Sequence, residues 1–351
     1  MKKLLLCALA AVAFTTACNK AEVIEQVAPT AIAFGEPFVE NTTKSVVNPS
    51  TTTDGANKLT AFTVYGYMDQ PEGVVFDQEA VTLVDNNWKT TTTQYWTSGH
   101  DYYFNAFAGA DWNNNAGEVS FTNKQGTNDF LYANATVTTK NIGAITAQNP
   151  GAVELNFKHL LSKVKFAFTN GFANPNTSIV VKNVTLKVPA TGSINLAQAH
   201  SWTEDNWAED KWVAATDHNL VLKFGDIVTD AADANGDKVY PAVYYTENNL
   251  SQPVAESYNE LLTIPTEYRT YTITFTTELY QGNVLAGTYN HIVNVEGIRF
   301  QIGHAYKFTA ELNGTNVNPD EALIPITFSV TSIEGWKEDT YNGGVIDTNK
   351  N

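Results

Sequence analysis

Asp233, Asn235 and Asp237 in "DANGD" stand at the alternating spacing with which a calcium-binding loop offers its first oxygen ligands. Such a loop closes with a bidentate glutamate at its twelfth position, and counted from Asp233 that place holds Tyr244. A tight Asn-Gly turn at Asn235 and Gly236 explains the same residues without a metal. In "SWTEDNWAEDKW", Trp202, Trp207 and Trp212 recur every five residues among carboxylates. Exposed indoles beside acids form a glycan-stacking platform, the ring packing on the CH-rich sugar face while the carboxylates accept hydroxyl hydrogens. Core tryptophans flanking a loop would be spelled the same way. The six histidines, His100, His159, His200, His218, His291 and His304, form no His-x-His or His-x-x-x-His pair, so structural roles are expected and neither a metal nor a cofactor is. The chain lacks a Gly-x-Ser-x-Gly elbow and a phosphate-cradling loop, and Glu204 and Asp205 read as a solvated acidic loop. No enzymatic activity is expected.

Cys7 and Cys18 are the two cysteines of the 351-residue chain, and neither is placed to staple a fold. Lys2 and Lys3 precede an apolar run from Leu4 to Phe14, and Thr15, Thr16 and Ala17 then lead into Cys18, the layout of a secretory signal. That run is about half of the ~20 residues a membrane-spanning helix needs. Small residues directly before a cysteine resemble the bacterial lipobox, in which the chain is cut before the cysteine and its thiol and new amino group are acylated. Thr15 stands where leucine is more usual, and an ordinary signal peptide with an incidental cysteine is the alternative. Several acyl chains, at about 0.8 kcal/mol per buried methylene, would hold the protein at a membrane surface. The net charge of −16 becomes more negative once Lys2 and Lys3 are removed. Nucleic acid is therefore a poor partner and anionic membranes repel the chain, leaving the lipid on Cys18 as its membrane attachment.

The elements that must position these residues are strands. Val164, Phe166 and Phe168 alternate with Lys163, Lys165 and Ala167, Val184, Leu186 and Val188 alternate with Thr185 and Lys187, and Tyr271, Ile273 and Phe275 alternate with threonines. Period-two patterns of this kind predict half-buried antiparallel strands. Further strands are predicted at Phe62 to Met68, Tyr102 to Ala108, Val153 to Phe157, Tyr306 to Leu312 and Ile324 to Val330, with short helical turns at His159 to Ser162 and Ser257 to Leu262. The class is all-β, built as sandwiches. Residues 1–17 read as the signal peptide, 18–58 as a lipidated segment with a first strand and the polar linker "NPSTTTDGANK", 59–160 and 161–337 as two β-sandwich domains, and 338–351 as a polar tail.

Several stretches, in order along nearly the whole chain, resemble the fimbrillin family of Bacteroides-type bacteria, the Mfa-like lipoproteins and type V pilus subunits. They are "NNWKTTTTQYW" (86–96), "NDFLYANATV" (128–137), "VELNFKHLLSKVKFAF" (153–168), "FQIGHAYKFTAEL" (300–312) and "ITFSVTSIEGW" (326–336). The resemblance implies two transthyretin-like Greek-key β-sandwich domains in tandem and an outer-membrane lipoprotein displayed at the cell surface as a fimbrial subunit or adhesin. It also implies donor-strand exchange: a protease removes an N-terminal strand, and the groove accepts a strand from another fimbrial subunit. A missing strand exposes unpaired backbone groups and apolar pockets, and a donated strand satisfies both. The family's processing enzyme cuts after arginine, but the arginines here are Arg269 and Arg299, within strand-rich segments, so the nearest counterpart is Lys44 in "ENTTKSVV". The polar tail after Trp336 is a poor donor strand, which leaves a tip, anchor or non-polymerising place open. The rival expectation is a monomeric outer-membrane lipoprotein that binds glycans through Trp202, Trp207 and Trp212.

Overall fold

A computed structural model describes residues 29–39, 59–69, 73–109, 112–115, 118–174, 176–195, 212–214, 219–226, 243–244, 254–256, 260–282, 284–334 and 345–346. Cys18, Lys44, Trp202, Trp207, Asp233, Asn235 and Asp237 lie outside the described residues, and of Trp212 only the backbone is described. No described residue is helical. The turns expected near His159 to Ser162 and toward Leu262 are extended instead, because His159, Ser162, Leu261 and Leu262 all pair with neighbouring strands.

Four sheets are formed among the described residues. The seven-stranded sheet runs β1 (Phe38–Val39), β9 (Asn156–His159), β8 (Phe130–Thr138), β5 (Asp101–Gly109), β2 (Ala61–Met68), β3 (Gly73–Val84) and β4 (Asn87–Thr90). A four-stranded sheet runs β13 (Trp212–Ala214), β12 (Thr191–Asn195), β7 (Glu118–Thr122) and β6 (Trp112–Asn115). A six-stranded sheet orders β16 (Val254–Glu256), β10 (Ser162–Asn170), β20 (His304–Leu312), β21 (Phe328–Glu334) and β22 (Val345–Ile346), with β17 (Leu261–Thr263) also on β10. A five-stranded sheet orders β14 (Leu220–Gly225), β11 (Thr177–Val188), β18 (Arg269–Gln281) and β19 (Val284–Ile298), with β15 (Val243–Tyr244) also on β11.

The five- and six-stranded sheets close a sandwich. Phe166, Phe168, Phe308 and Phe328 from one meet Val181, Leu186, Ile273 and Phe275 from the other, with the Phe168 and Phe275 rings 5.1 Å apart. β18 shows the alternation its sequence predicts, Tyr271, Ile273 and Phe275 buried between more exposed threonines. β10 departs from it. This strand runs inside its sheet, with β16 and β17 on one side and β20 parallel on the other, and Lys163 is only 3% exposed. A buried ammonium needs a partner, and Lys163 Nζ has Glu260 Oε2 at 2.8 Å.

The four-stranded sheet was not anticipated. It joins β6 and β7 to β12 and β13, five register pairs linking β7 with β12 from Thr122↔Thr191 to Glu118↔Asn195. Behind it a third core gathers Tyr65, Phe107, Phe130 and Tyr132 of the seven-stranded sheet, Val119, Phe121 and Ile194 of the four-stranded sheet, and Leu160, Leu161, Leu262, Ile264 and Ile302. Around Tyr65, Phe107, Phe130 and Tyr132 the seven-stranded sheet is therefore buried on both faces, whereas β3 and β4 leave one face exposed. Asn123 ties the same region together: its Nδ2 donates to the Leu262 carbonyl at 2.8 Å, its Oδ1 accepts from the Gly126 amide at 2.8 Å, and its own amide donates to the Ala190 carbonyl at 2.8 Å. Gly126 has φ +71°, and a Cβ there would sit 2.8 Å from the Leu261 Cβ and 2.9 Å from the Leu262 nitrogen, so only glycine fits.

His291 on β19 is 6% exposed, stacks on Phe275 at 4.7 Å and has its Nε2 2.9 Å from the Thr277 hydroxyl. Burial lowers its pKa to about 4 from the ordinary 6.5. The unfolded chain therefore takes up a proton between those values while the folded chain does not, so stability falls as pH drops from 6.5 toward 4. Denaturant melts at pH 7 and pH 4 are expected to show a loss of about 2 kcal/mol from this group, discounted for solvent relaxation around it. His291→Gln, which keeps a partner for Thr277, is expected to remove that component.

Candidate functional site

One face of the seven-stranded sheet presents Phe62, Val64, Phe76, Tyr102, Phe104, Ala106, Leu131 and Phe157. Its cover consists of individual segments of chain: Ile32 and Phe34 from residues 29–39, Trp96, and Val153 with Leu155, while Val39 joins the face itself from β1. Ile32 and Phe34 lie two residues apart and so point to the same side of an extended chain. The Phe34 ring meets Phe62 at 5.6 Å and Phe104 at 5.9 Å edge to face, and Phe76 at 5.8 Å. Burying three such side chains contributes roughly 5–8 kcal/mol before entropy is counted.

Segment 29–39 is hydrogen-bonded on both edges in succession, residues 30–32 on one and residues 33–38 on the other. On one side the Ile32 amide donates to the Gln94 carbonyl at 2.8 Å and the Trp96 amide donates to the Thr30 carbonyl at 3.0 Å. On the other, the Gly35 amide donates to Val153 O at 3.0 Å, the Val153 amide to Ala33 O at 2.8 Å, and the Phe38 amide to Leu155 O at 3.0 Å. The segment then enters the sheet as β1, parallel to β9 through Phe38↔Asn156 and Val39↔Phe157. The groove holds an extended peptide by backbone pairing and by pockets for alternate side chains. That is what recognition of an added strand requires.

The strap over residues 30–32 is tethered by a buried acid. Glu79 on β3 is 8% exposed, and its Oε1 accepts from the Thr91 hydroxyl at 2.6 Å and the Thr92 amide at 2.7 Å, while Oε2 accepts from the Thr92 hydroxyl at 3.0 Å. Burial pushes the carboxyl upward, but these hydrogen bonds outweigh it and hold the pKa below the ordinary glutamate value.

Of the residues singled out in the sequence, Trp212 falls on β13, its backbone paired with Ile194 in the four-stranded sheet. His159 is buried with Nδ1 2.6 Å from Asp129 Oδ2, and His304 Nδ1 lies 2.9 Å from the Ile302 carbonyl oxygen. The sequence places a first strand before the polar linker but does not mark Trp96, Val153, Leu155 and Glu79 as its receptor. The available signal was the period-two pair Ile32 and Phe34; the receptor residues come from three distant stretches and carry no joint signature.

The sequence pattern described as fimbrillin-like matches residues 43–336. No curated protein matches the chain by sequence. Among solved structures, the chain is similar to a fimbrial protein from Bacteroides vulgatus ATCC 8482, with 14% identity, a TM-score of 0.53, and 88% of this chain and 99% of that one covered. It also aligns with the fimbrial anchor protein Mfa2 from Porphyromonas gingivalis at 13% identity and a TM-score of 0.36, over 91% of this chain and 99% of that one.

Phe34→Ala is expected to lower the unfolding free energy by about 3–4 kcal/mol through lost transfer and a residual cavity, whereas Phe38→Ala, at a side chain 52% exposed, is expected to cost under about 1 kcal/mol. Urea titrations of the two variants check the contrast.

Proposed function

The chain belongs to the fimbrillin-like family, and on that premise we propose that it is a cell-surface fimbrial subunit or adhesin, exported as an outer-membrane lipoprotein on Cys18, that accepts a strand from another subunit in place of its own residues 29–39. The observation that carries this reading is the way that segment sits: paired on both edges and filling an apolar face with Ile32 and Phe34. Lys44 follows the segment in sequence, so a cut after it would leave residues 29–39 held by non-covalent contacts alone. An incoming strand would need two apolar side chains at positions i and i+2 to refill the pockets.

That requirement bears on which partner gives and which receives. β22 is already paired with β21 through Val330↔Ile346 and Thr331↔Val345. Phe328 and Val330 of β21 have the right spacing, but both are buried in the sandwich core and β21 pairs with β20 from Phe328↔Ala310 to Glu334↔His304. The chain is thus built better to accept a strand than to give one, which suits a terminal position in a fibre.

Limited trypsin treatment of the purified folded chain tests this. Expected are a cut after Lys44, displacement of the N-terminal fragment by a labelled synthetic peptide of residues 29–39, and complexes that survive cold detergent but collapse on boiling. A cut chain that neither releases its fragment nor takes up the peptide would sink the strand-accepting role. Mass spectrometry of the membrane-extracted protein is expected to find Cys18 as an acylated N-terminus; an unmodified terminus there removes the anchor.

A further inference from the structure

We propose that Glu79 is the latch for segment 29–39, a positioning residue that sets how readily the segment leaves by holding the strap of residues 91–96 against it. This rests on the reading above, in which that segment is displaced. Three observations meet on this side chain.

The first is the backbone that aims it. Between β2 and β3 the register pairs are Val64↔Glu79 and Gly66↔Phe76, so three steps along β3 answer two along β2, a β-bulge. Phe76 and Glu79 are an odd number of residues apart, yet both are buried while Asp77 and Gln78 between them are exposed. The bulge turns the acid inward, and it does so with Gln78 at φ +51°, a left-handed conformation that a residue with a Cβ resists. Local strain is held in the strand at the point where the carboxylate is presented.

The second is where backbone pairing stops. β3 and β4 are in register from Val84↔Asn87 to Val81↔Thr90, and beyond Thr90 the chain leaves the ladder. Glu79 continues the tether there, its two oxygens taking three donors from Thr91 and Thr92. Charge-assisted bonds to a buried carboxylate are among the stronger hydrogen bonds a protein makes, and the lowered pKa of the group agrees with an anion held in place.

The third is what the tethered stretch does next. Within four residues, Gln94 accepts from the Ile32 amide, Tyr95 bridges Ala31, and the Trp96 amide donates to Thr30. Residues 30–32, the first part of segment 29–39, are therefore secured by a strap whose near end is fastened through Glu79. The opposite edge, on Val153 and Leu155, has no part in this fastening.

Amide hydrogen exchange on the uncut chain tests the latch. Glu79→Gln is expected to speed exchange of the Ile32 and Trp96 amides at least tenfold while leaving the Ile273 and Phe275 amides of β18 at their original rates. Thr91→Val, which removes one of the bonds and keeps the acid, is expected to give about a threefold change at the same two amides, and it carries the test if Glu79→Gln does not accumulate as folded protein. Unchanged rates at Ile32 and Trp96, or an equal acceleration at β18, would overturn the proposal, the latter because it marks general destabilisation. These rates do not depend on cleavage at Lys44, so a chain that exchanges as expected but never takes up a strand would refute the assembly reading and leave the latch standing.

Discussion

An apolar sheet face has to be covered, and in this protein one such face is covered by residues 29–39 together with Trp96, Val153 and Leu155. Phe62, Phe76 and Phe104 would otherwise meet water, and Phe34 lies against all three. In the sandwich of the five- and six-stranded sheets the same need is met by sheet against sheet, with strands that run through the core and return. The two solutions differ in kind. A facing sheet is tied into the rest of the chain by several strands, whereas segment 29–39 is a single extended stretch held through its hydrogen bonds to Gln94, Trp96, Val153 and Leu155 and its apolar contacts. A large apolar surface is covered here by small pieces of chain, with Phe34 at the centre of the contact.

The parts of the fold that were legible in the sequence are those where one face of a strand meets the core and the other meets water. β18 is the clearest case, its threonines and its Tyr271, Ile273 and Phe275 falling on opposite sides as the letters suggest. Legibility fails where both faces are buried. Lys163 reads as a solvent residue because lysine seldom lies inside a sheet, and only the distant Glu260 explains it. It fails again at bulges: Glu79 and Phe76, and likewise Val181 and Val184 beside Asn183 at φ +55°, share a face at odd spacing, which a strict two-residue period cannot express.

The candidate site was half legible for a related reason. The segment itself announced an apolar pair, but its receptor is assembled from β2, β3 and β5 together with Trp96, Val153 and Leu155, and nothing local in those stretches marks them as neighbours. The threonine run "TTTT" likewise looks like loop filler until two of its members are seen gripping a carboxylate twelve and thirteen residues upstream. The chain shares its fold with a solved fimbrial protein at 14% identity. Cores tolerate that kind of drift as long as volume and alternation persist.

The four-stranded sheet has an evolutionary consequence. Because β7 must find β12, and Asn123 must find both Ala190 and Leu262, neither the stretch before Leu160 nor the stretch after it carries a finished set of ladders. A recombination event that swapped one of them for a homologous piece from another gene would bring together half-sheets with mismatched edges. New variants of this protein are therefore expected to arise by point substitution and loop exchange within an inherited whole, not by trading modules.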